Sequence, residues 1–119
     1  MSLREIDVQG RTIQLYESGS GNPPLLYLHG IADMHGLSPD NCAFHDALAE
    51  KHHVFAPAMP GCVGSDEDNS LESIDDLRFH TLEVMDELKI EKINIIGNCV
   101  GDWLAAEIAV HNPERVGKL

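Results

Sequence analysis

A chain of 119 residues has room for one hydrophobic core and none for a second, so 1–119 is expected to form a single domain. Its 43% apolar content suits a folded protein, and 20 acidic against 8 basic side chains give a formal charge of -12. That charge repels phosphate backbones and anionic lipid, so neither nucleic acid nor membrane is expected as a partner. The start, Met1-Ser2-Leu3-Arg4-Glu5-Ile6-Asp7, lacks the apolar core of a signal peptide. No stretch approaches the roughly 18 apolar residues that span a bilayer, which makes the cytoplasm the expected location. Cys42, Cys62 and Cys99 are an odd number without CxxC spacing and read as free thiols.

Period-two patterning over Arg4 to Gln9 and Thr12 to Glu17, around a turn at Gly10, predicts an antiparallel hairpin. Gly19-Ser20-Gly21-Asn22-Pro23 has the composition of a phosphate loop, but it precedes a strand and carries proline where helical N–H groups are needed, so it reads as a turn. Pro24 to Leu28 is an apolar strand. A loop from Gly30 to Asn41 leads to a helix near Phe44 to Lys51, and His53 to Ala58 is a second buried strand ended by Pro60-Gly61. Ser73 and Asp76 mark a helix start, after which Ile74, Leu77, Thr81, Val84, Met85 and Leu88 recur at spacings of three and four. Ile93 to Ile96 is a third buried strand, and Val100 to His111 a helix apolar almost all round. Alternation of this kind predicts an α/β fold: a mainly parallel sheet with helices on both faces.

Between the last strand and the last helix stands Gly97-Asn98-Cys99-Val100-Gly101. G-x-C-x-G at a strand-to-helix junction is the setting of a nucleophile elbow. The central residue is forced into a strained conformation, so the residues two before and two after it must be small. Its side chain then projects at the positive end of a helix, where an anionic intermediate is stabilised.

This order of motifs resembles the N-terminal half of an α/β-hydrolase fold protein, across the whole chain. Leu28-His29-Gly30 resembles the His-Gly oxyanion loop of that family, and Ala56-Pro57-Ala58-Met59-Pro60-Gly61 with Gly64-Ser65-Asp66 resembles its strand-end segment. Asn112-Pro113-Glu114-Arg115-Val116 matches its helix end. The resemblance implies a truncated version of that fold, with an N-terminal hairpin and with the later strands, cap, catalytic acid and catalytic histidine absent. By the same resemblance, the activity is hydrolysis of an acyl ester, carboxylesterase-like; a small hydrophobic ester is the expected substrate. Cys99 takes the nucleophile position, the backbone N–H groups of Val100 and Ile31 form the oxyanion hole, and His29, Gly30 and Trp103 lie at the substrate. No metal and no cofactor are implied.

Cysteine where most such elbows carry serine leaves three readings open: a Cys nucleophile as in the dienelactone hydrolase branch, a serine replaced in the laboratory, or a retired homologue. Asp102 departs from the family pattern at a place where a small residue usually lets strand and helix approach, and its charge opposes formation of a thiolate at Cys99. Cys62-Val63 departs from an aromatic residue and glycine. Impaired or absent turnover is therefore expected. The alternative to an enzyme is a non-catalytic oligomerising or ligand-binding module on the same scaffold.

None of the seven histidines is an evident base. His111 lies about 18 Å from Cys99 along a continuous helix, at about 1.5 Å per residue. His80, His52 and His53 take structural positions, while His29 and His35 flank the oxyanion loop, where an ordering hydrogen bond is the plainer role. Cys42 with His45 lacks a second ligand pair, and the acidic run of Asp66, Glu67, Asp68, Glu72, Asp75 and Asp76 reads as solvated loop and helix-start charge. Trp103 reads as core with a second reading as pocket wall. The strand Ile93 to Ile96 should expose an unpaired apolar edge, through which self-association, as a homodimer or higher oligomer, is expected.

Overall fold

The computed structural model describes residues 2–21, 24–30, 47–60, 65 and 71–119. Alternating apolar residues put Ile6, Val8, Ile13 and Leu15 on one face of a hairpin made by β1 (Ser2–Val8) and β2 (Arg11–Ser18), in register Ile6 with Ile13. Its two-residue turn needs positive φ at both places, and Gln9 at 53° and Gly10 at 84° supply it. The Gly10 N–H donates to Asp7 Oδ1 at 2.8 Å, which closes the turn.

Three further strands follow: β3 (Leu25–Leu28), β4 (Val54–Pro57) and β5 (Asn94–Gly97). The sheet order is β1-β2-β4-β3-β5, with β3 parallel to both β4 and β5, and β2 antiparallel to β4. A parallel core thus carries the antiparallel hairpin at one edge. Strands β3 and β4 are buried along their whole length, as continuous apolar runs predict.

Both faces are covered. On one, α1 (Ile74–Glu87) and α2 (Val100–His111) lie over a core that includes Leu26, Leu28, Val84, Ile95, Leu104 and Ile108. On the other, Tyr16, Leu25, Tyr27, Val54 and Ala56 pack against Leu48 and Ala49, in a segment that is helical at 47–49. The remainder of the helix expected from Phe44 lies outside the described residues up to residue 46.

Helix α1 begins as predicted. Ser73 Oγ accepts the Asp76 N–H at 3.2 Å, and the Asp76 carboxylate accepts the Glu72 N–H at 2.9 Å, a reciprocal cap. Thr81, Val84 and Met85 are buried, with Ile74, Leu77 and Leu88 packed on the core. Arg78 and His80 are buried as well. The Arg78 guanidinium reaches Asn112 Oδ1 at 2.8 Å and Asp75 at 3.4 Å, so its long stem fills space between helices while its head finds acceptors.

Helix α2 has the bounds expected of it, but it is not buried all round. Gly101, Leu104, Ala105 and Ile108 face inward, whereas Trp103 is 55% and Val110 74% exposed. One side of the helix meets the sheet, and among the described residues nothing covers the other. Trp103 is therefore not a core residue. The expected bare edge of β5 is also corrected in part. After a 3-10 turn at Pro113–Arg115, Val116 forms a parallel bridge with Ile93, the Gly117 N–H donates to Ile93 O and the Ile95 N–H to Lys118 O, both at 2.8 Å. The first half of that edge is occupied. Among the described residues no helix is long and apolar enough to cross a membrane.

Candidate active site

Cys99 sits at φ 58°, ψ -117°, between β5 and the first turn of α2. Such a backbone is costly for any residue with a Cβ, by about 1–3 kcal/mol, and persists only where its surroundings enforce it. Those surroundings are two glycines and a neighbouring strand. A Cβ on Gly97 would lie 2.4 Å from Gly101 O, and one on Gly30 would lie 2.6 Å from the Cβ of Cys99. The Asn98 N–H donates to Leu28 O at 3.1 Å, which ties the elbow to the end of β3. The Asp102 and Trp103 N–H groups both donate to Cys99 O, at 3.0 and 3.2 Å, so the helix starts at once. The thiol is exposed, and the Val100 N–H at the first helical position has no acceptor within its own helix.

His29 and Gly30 form the wall beside the elbow. The Met59 N–H donates to His29 Nε2 at 2.9 Å, so that nitrogen carries the lone pair, and Nδ1–H donates to Gly30 O at 3.1 Å. Both ring nitrogens are used, and the ring joins the loop after β3 to the loop after β4. Ser65 is buried: its hydroxyl donates to Ala58 O at 3.0 Å and accepts the Gln14 N–H at 2.9 Å. A serine in a resemblance motif thus proves to be a buried bridge between β2 and β4. Its hydroxyl role was not visible in the sequence, because one of its two partners, Gln14, lies 51 residues away.

Trp103 lies one helical turn beyond the elbow, with its indole N–H directed to Glu107 Oε1 at 3.3 Å. Together with Val100, the residue after Cys99, and with Met59, Pro60, Ile74 and Leu77 it lines a groove of about 570 Å³. Asp102 is exposed, and the close strand–helix approach is made by Gly97 and Gly101. Ile31, the second expected oxyanion donor, lies outside the described residues, as do His35, Cys42, His45, Cys62, Val63 and residues 66–68.

Three of the other described histidines are engaged elsewhere. His111 Nε2 pairs with Glu107 at 3.1 Å near the far end of α2, His80 is buried on α1, and His53 Nε2 meets Glu17 Oε2 at 2.6 Å. Arg4 Nε reaches the other Glu17 oxygen at 2.9 Å. Burial pushes the Glu17 carboxyl up, but the hydrogen bonds from His53 and Arg4, with their charges, outweigh it and hold the group below its ordinary value. This cluster at the β2–β4 joint went unread in the sequence, since its members are 13 and 36 residues apart. Asp75, Glu107 and His111 bring ligand atoms within 4.8 Å of one another on the outer side of the helices, where Arg78 already supplies a cation to Asp75.

Comparison with known proteins agrees with this geometry. Residues 23–119 match the family described as alpha/beta hydrolase fold. The chain is 31% identical over 123 residues to a 2-hydroxymuconate semialdehyde hydrolase of a Pseudomonas species, covering 98% of this chain and 41% of that protein. It is 31% identical over 121 residues to a 2-hydroxy-6-oxononadienedioate/2-hydroxy-6-oxononatrienedioate hydrolase of Cupriavidus pinatubonensis, covering 100% of this chain and 42% of that protein. A solved meta-cleavage product hydrolase from Pseudomonas fluorescens superposes with a TM-score of 0.81 at 29% identity, over 95% of this chain and 42% of the other. The chain thus spans about two fifths of the length of these relatives. With an elbow of this geometry and a match running from residue 23 to 119, the chain belongs to the alpha/beta hydrolase fold family.

Proposed function

We propose that this chain carries the nucleophile-bearing part of a hydrolase that acts at a carbonyl carbon, with Cys99 as nucleophile. The observation that carries the reading is the backbone of Cys99 at φ 58°, ψ -117°, a strain with no structural use unless the thiol must be presented. In the proposed step the thiolate sulfur bonds to the carbonyl carbon of an ester. The oxyanion is met by the Val100 N–H and by that of Ile31. The C–O bond then breaks, the alcohol leaves with a proton, and a thioester remains until water cleaves it to the acid and the free thiol.

The finer substrate assignment is an acyl ester. The relatives are named for oxo-acids, and attack on a carbonyl carbon is what the two chemistries share. Turnover of this chain alone is proposed to be weak or nil. Among the described residues no imidazole is bonded to Cys99, and His29 has both nitrogens committed. Steady-state and burst assays with p-nitrophenyl acetate on this chain, Cys99→Ser and Cys99→Ala test the reading. A burst of one equivalent that Cys99→Ala abolishes supports it, and the absence of a burst from the unaltered chain and from Cys99→Ser rejects it.

A second reading, a non-catalytic oligomerising module on the hydrolase scaffold, is favoured by one observation: the outward Trp103 and Val110 of α2, 55% and 74% exposed.

A further inference from the structure

The start of α1 and the end of α2 bring three metal-ligating side chains together. Asp75 lies in the first turn of α1, while Glu107 and His111 lie four residues apart in α2 and so share one side of that helix. Their ligand atoms are all within 4.8 Å of one another, with Asp75 and His111 exposed and Glu107 partly buried. Arg78 fixes the juxtaposition from the inner side of α1. Its guanidinium donates to Oδ1 of Asn112, the residue that ends α2, at 2.8 Å. The place is separate from the elbow, because His111 follows Cys99 by about 18 Å along the helix at about 1.5 Å per residue.

The separations suit ligands of a single ion. His111 Nε2 and Glu107 Oε2 are 3.1 Å apart. Two ligands held about 2.1 Å from one ion are about 3 Å apart when they meet it at right angles and about 4 Å apart when they oppose each other. The outer limit of 4.8 Å exceeds that span by under about 1 Å, which rotation of an exposed carboxylate about its own side-chain bonds takes up. The other Glu107 oxygen is already engaged: the Trp103 indole N–H donates to Oε1 at 3.3 Å, which orients the carboxylate and leaves Oε2 to the ion. Arg78 competes for Asp75, but weakly. At 3.4 Å it stands beyond the about 2.7–2.9 Å of a charge-assisted hydrogen bond, and Asn112 is its nearer partner.

One imidazole with two carboxylates is a donor set for first-row transition ions, whereas Ca²⁺ and Mg²⁺ take oxygen ligands. The two negative charges of the set, on a chain of formal charge -12, favour a dication. We propose that Asp75, Glu107 and His111 form a surface site for a divalent transition-metal ion of the Zn²⁺ or Ni²⁺ kind, which bridges the start of α1 to the end of α2. Water fills the remaining coordination positions, since two of the three ligands are exposed. The site stands apart from the nucleophile reading and shares no residue with it.

The chain's single tryptophan reports on this site, because Trp103 is bonded to the ligand Glu107. Ni²⁺, an open-shell ion that quenches indole emission at short range, is titrated into the whole chain while Trp103 fluorescence is read. Zn²⁺, a closed-shell ion, is then added to displace it. Emission is expected to fall saturably with Ni²⁺ and to recover with Zn²⁺. His111→Ala should abolish the saturable quench. Asp75→Asn should weaken apparent affinity by at least about tenfold, since losing even an outer partner of a metal ligand costs about that much. Metal taken up by the thiols of Cys42, Cys62 or Cys99 is unaffected by either substitution, so the variants separate the two. Zn²⁺ should also raise the Tm of the unaltered chain more than that of Asp75→Asn, because an ion that binds the folded arrangement stabilises it. No saturable quench in the unaltered chain, or one that survives His111→Ala, overturns the site. A quench lost in His111→Ala but unchanged in Asp75→Asn, with equal Tm shifts, overturns the bridge between the helices and leaves chelation by α2 alone.

Discussion

Gly101 stands so close to Leu28 that a Cβ added to it would fall 1.9 Å from the Leu28 carbonyl oxygen. The atom met is backbone in the middle of the parallel core, and it cannot step aside as a side-chain tip can. This contact lets α2 begin directly on top of β3, and so fixes where the elbow points.

Gly101→Ala is accordingly expected to lower stability by about 3 kcal/mol, the upper range for overpacking. Gly10→Ala is the comparison: its φ is 84° but a Cβ there meets nothing within 4 Å. Only the left-handed backbone is penalised, by about 1 kcal/mol. Urea midpoints at unchanged slope measure both. Equal losses at the two sites would show that the close approach is not what holds α2 down.

The strain at Cys99 should itself be measurable. Its φ of 58° with ψ -117° is a conformation that glycine accepts freely. The side chain is exposed, so little packing is lost on removing it. Cys99→Gly is therefore expected to be more stable than Cys99→Ala by about 1–2 kcal/mol, against the usual order for a site at the start of a helix. If alanine proves equal or better in chemical denaturation, the elbow is not under tension and the main support for a presented nucleophile is gone.

Local patterns made most of the architecture legible. Period-two alternation, a Ser73 to Asp76 cap and a glycine-flanked junction each act within a few residues, and hairpin, α1 and elbow all formed where they pointed. What escaped is non-local. The Arg78 guanidinium is buried because Asn112, 34 residues on, offers an acceptor, and the His53–Glu17 pair joins strands that become neighbours only when β2 meets β4. Of the two readings of Trp103, core and pocket wall, the core one fails for a different reason. Periodicity reports which residues are apolar, and α2 is apolar on more sides than the described fold can cover. For the site, the sequence pointed to Cys99 and the small residues beside it, while the two hydrogen bonds that commit His29 required coordinates.

The Glu17 cluster predicts an acid-side dependence of stability. A carboxyl held below its ordinary value of 4.5 in the folded protein contributes stability above the unfolded value. That contribution is lost as pH falls through the lower, folded value. Unfolding free energy of the wild type should therefore drop more steeply than that of Glu17→Gln between about pH 5 and about pH 3, with the two curves converging at the acid end. Parallel curves over that window would show that the hydrogen bonds from His53 and Arg4 do not outweigh the burial of the carboxyl.

Self-association through the outer face of α2 is the expected outcome. Trp103 and Val110 are seven residues apart, two turns along one side of the helix, and both are more than half exposed. With Phe79 on α1 at 54%, they give apolar area that a monomer leaves in water. Because residues 116–118 already pair with the first half of β5, helix faces are the better candidates for contact than the strand edge. A symmetric dimer with α2 of one copy against α2 of the other would bury these side chains twice over. Sedimentation at micromolar concentration should show a dimer or larger species that Trp103→Glu/Val110→Lys converts to monomer with the fold retained by circular dichroism. Opposite charges are placed on the two sites so that net charge is unchanged, which separates lost apolar contact from general repulsion. A monodisperse monomer of the unaltered chain at that concentration would sink the idea.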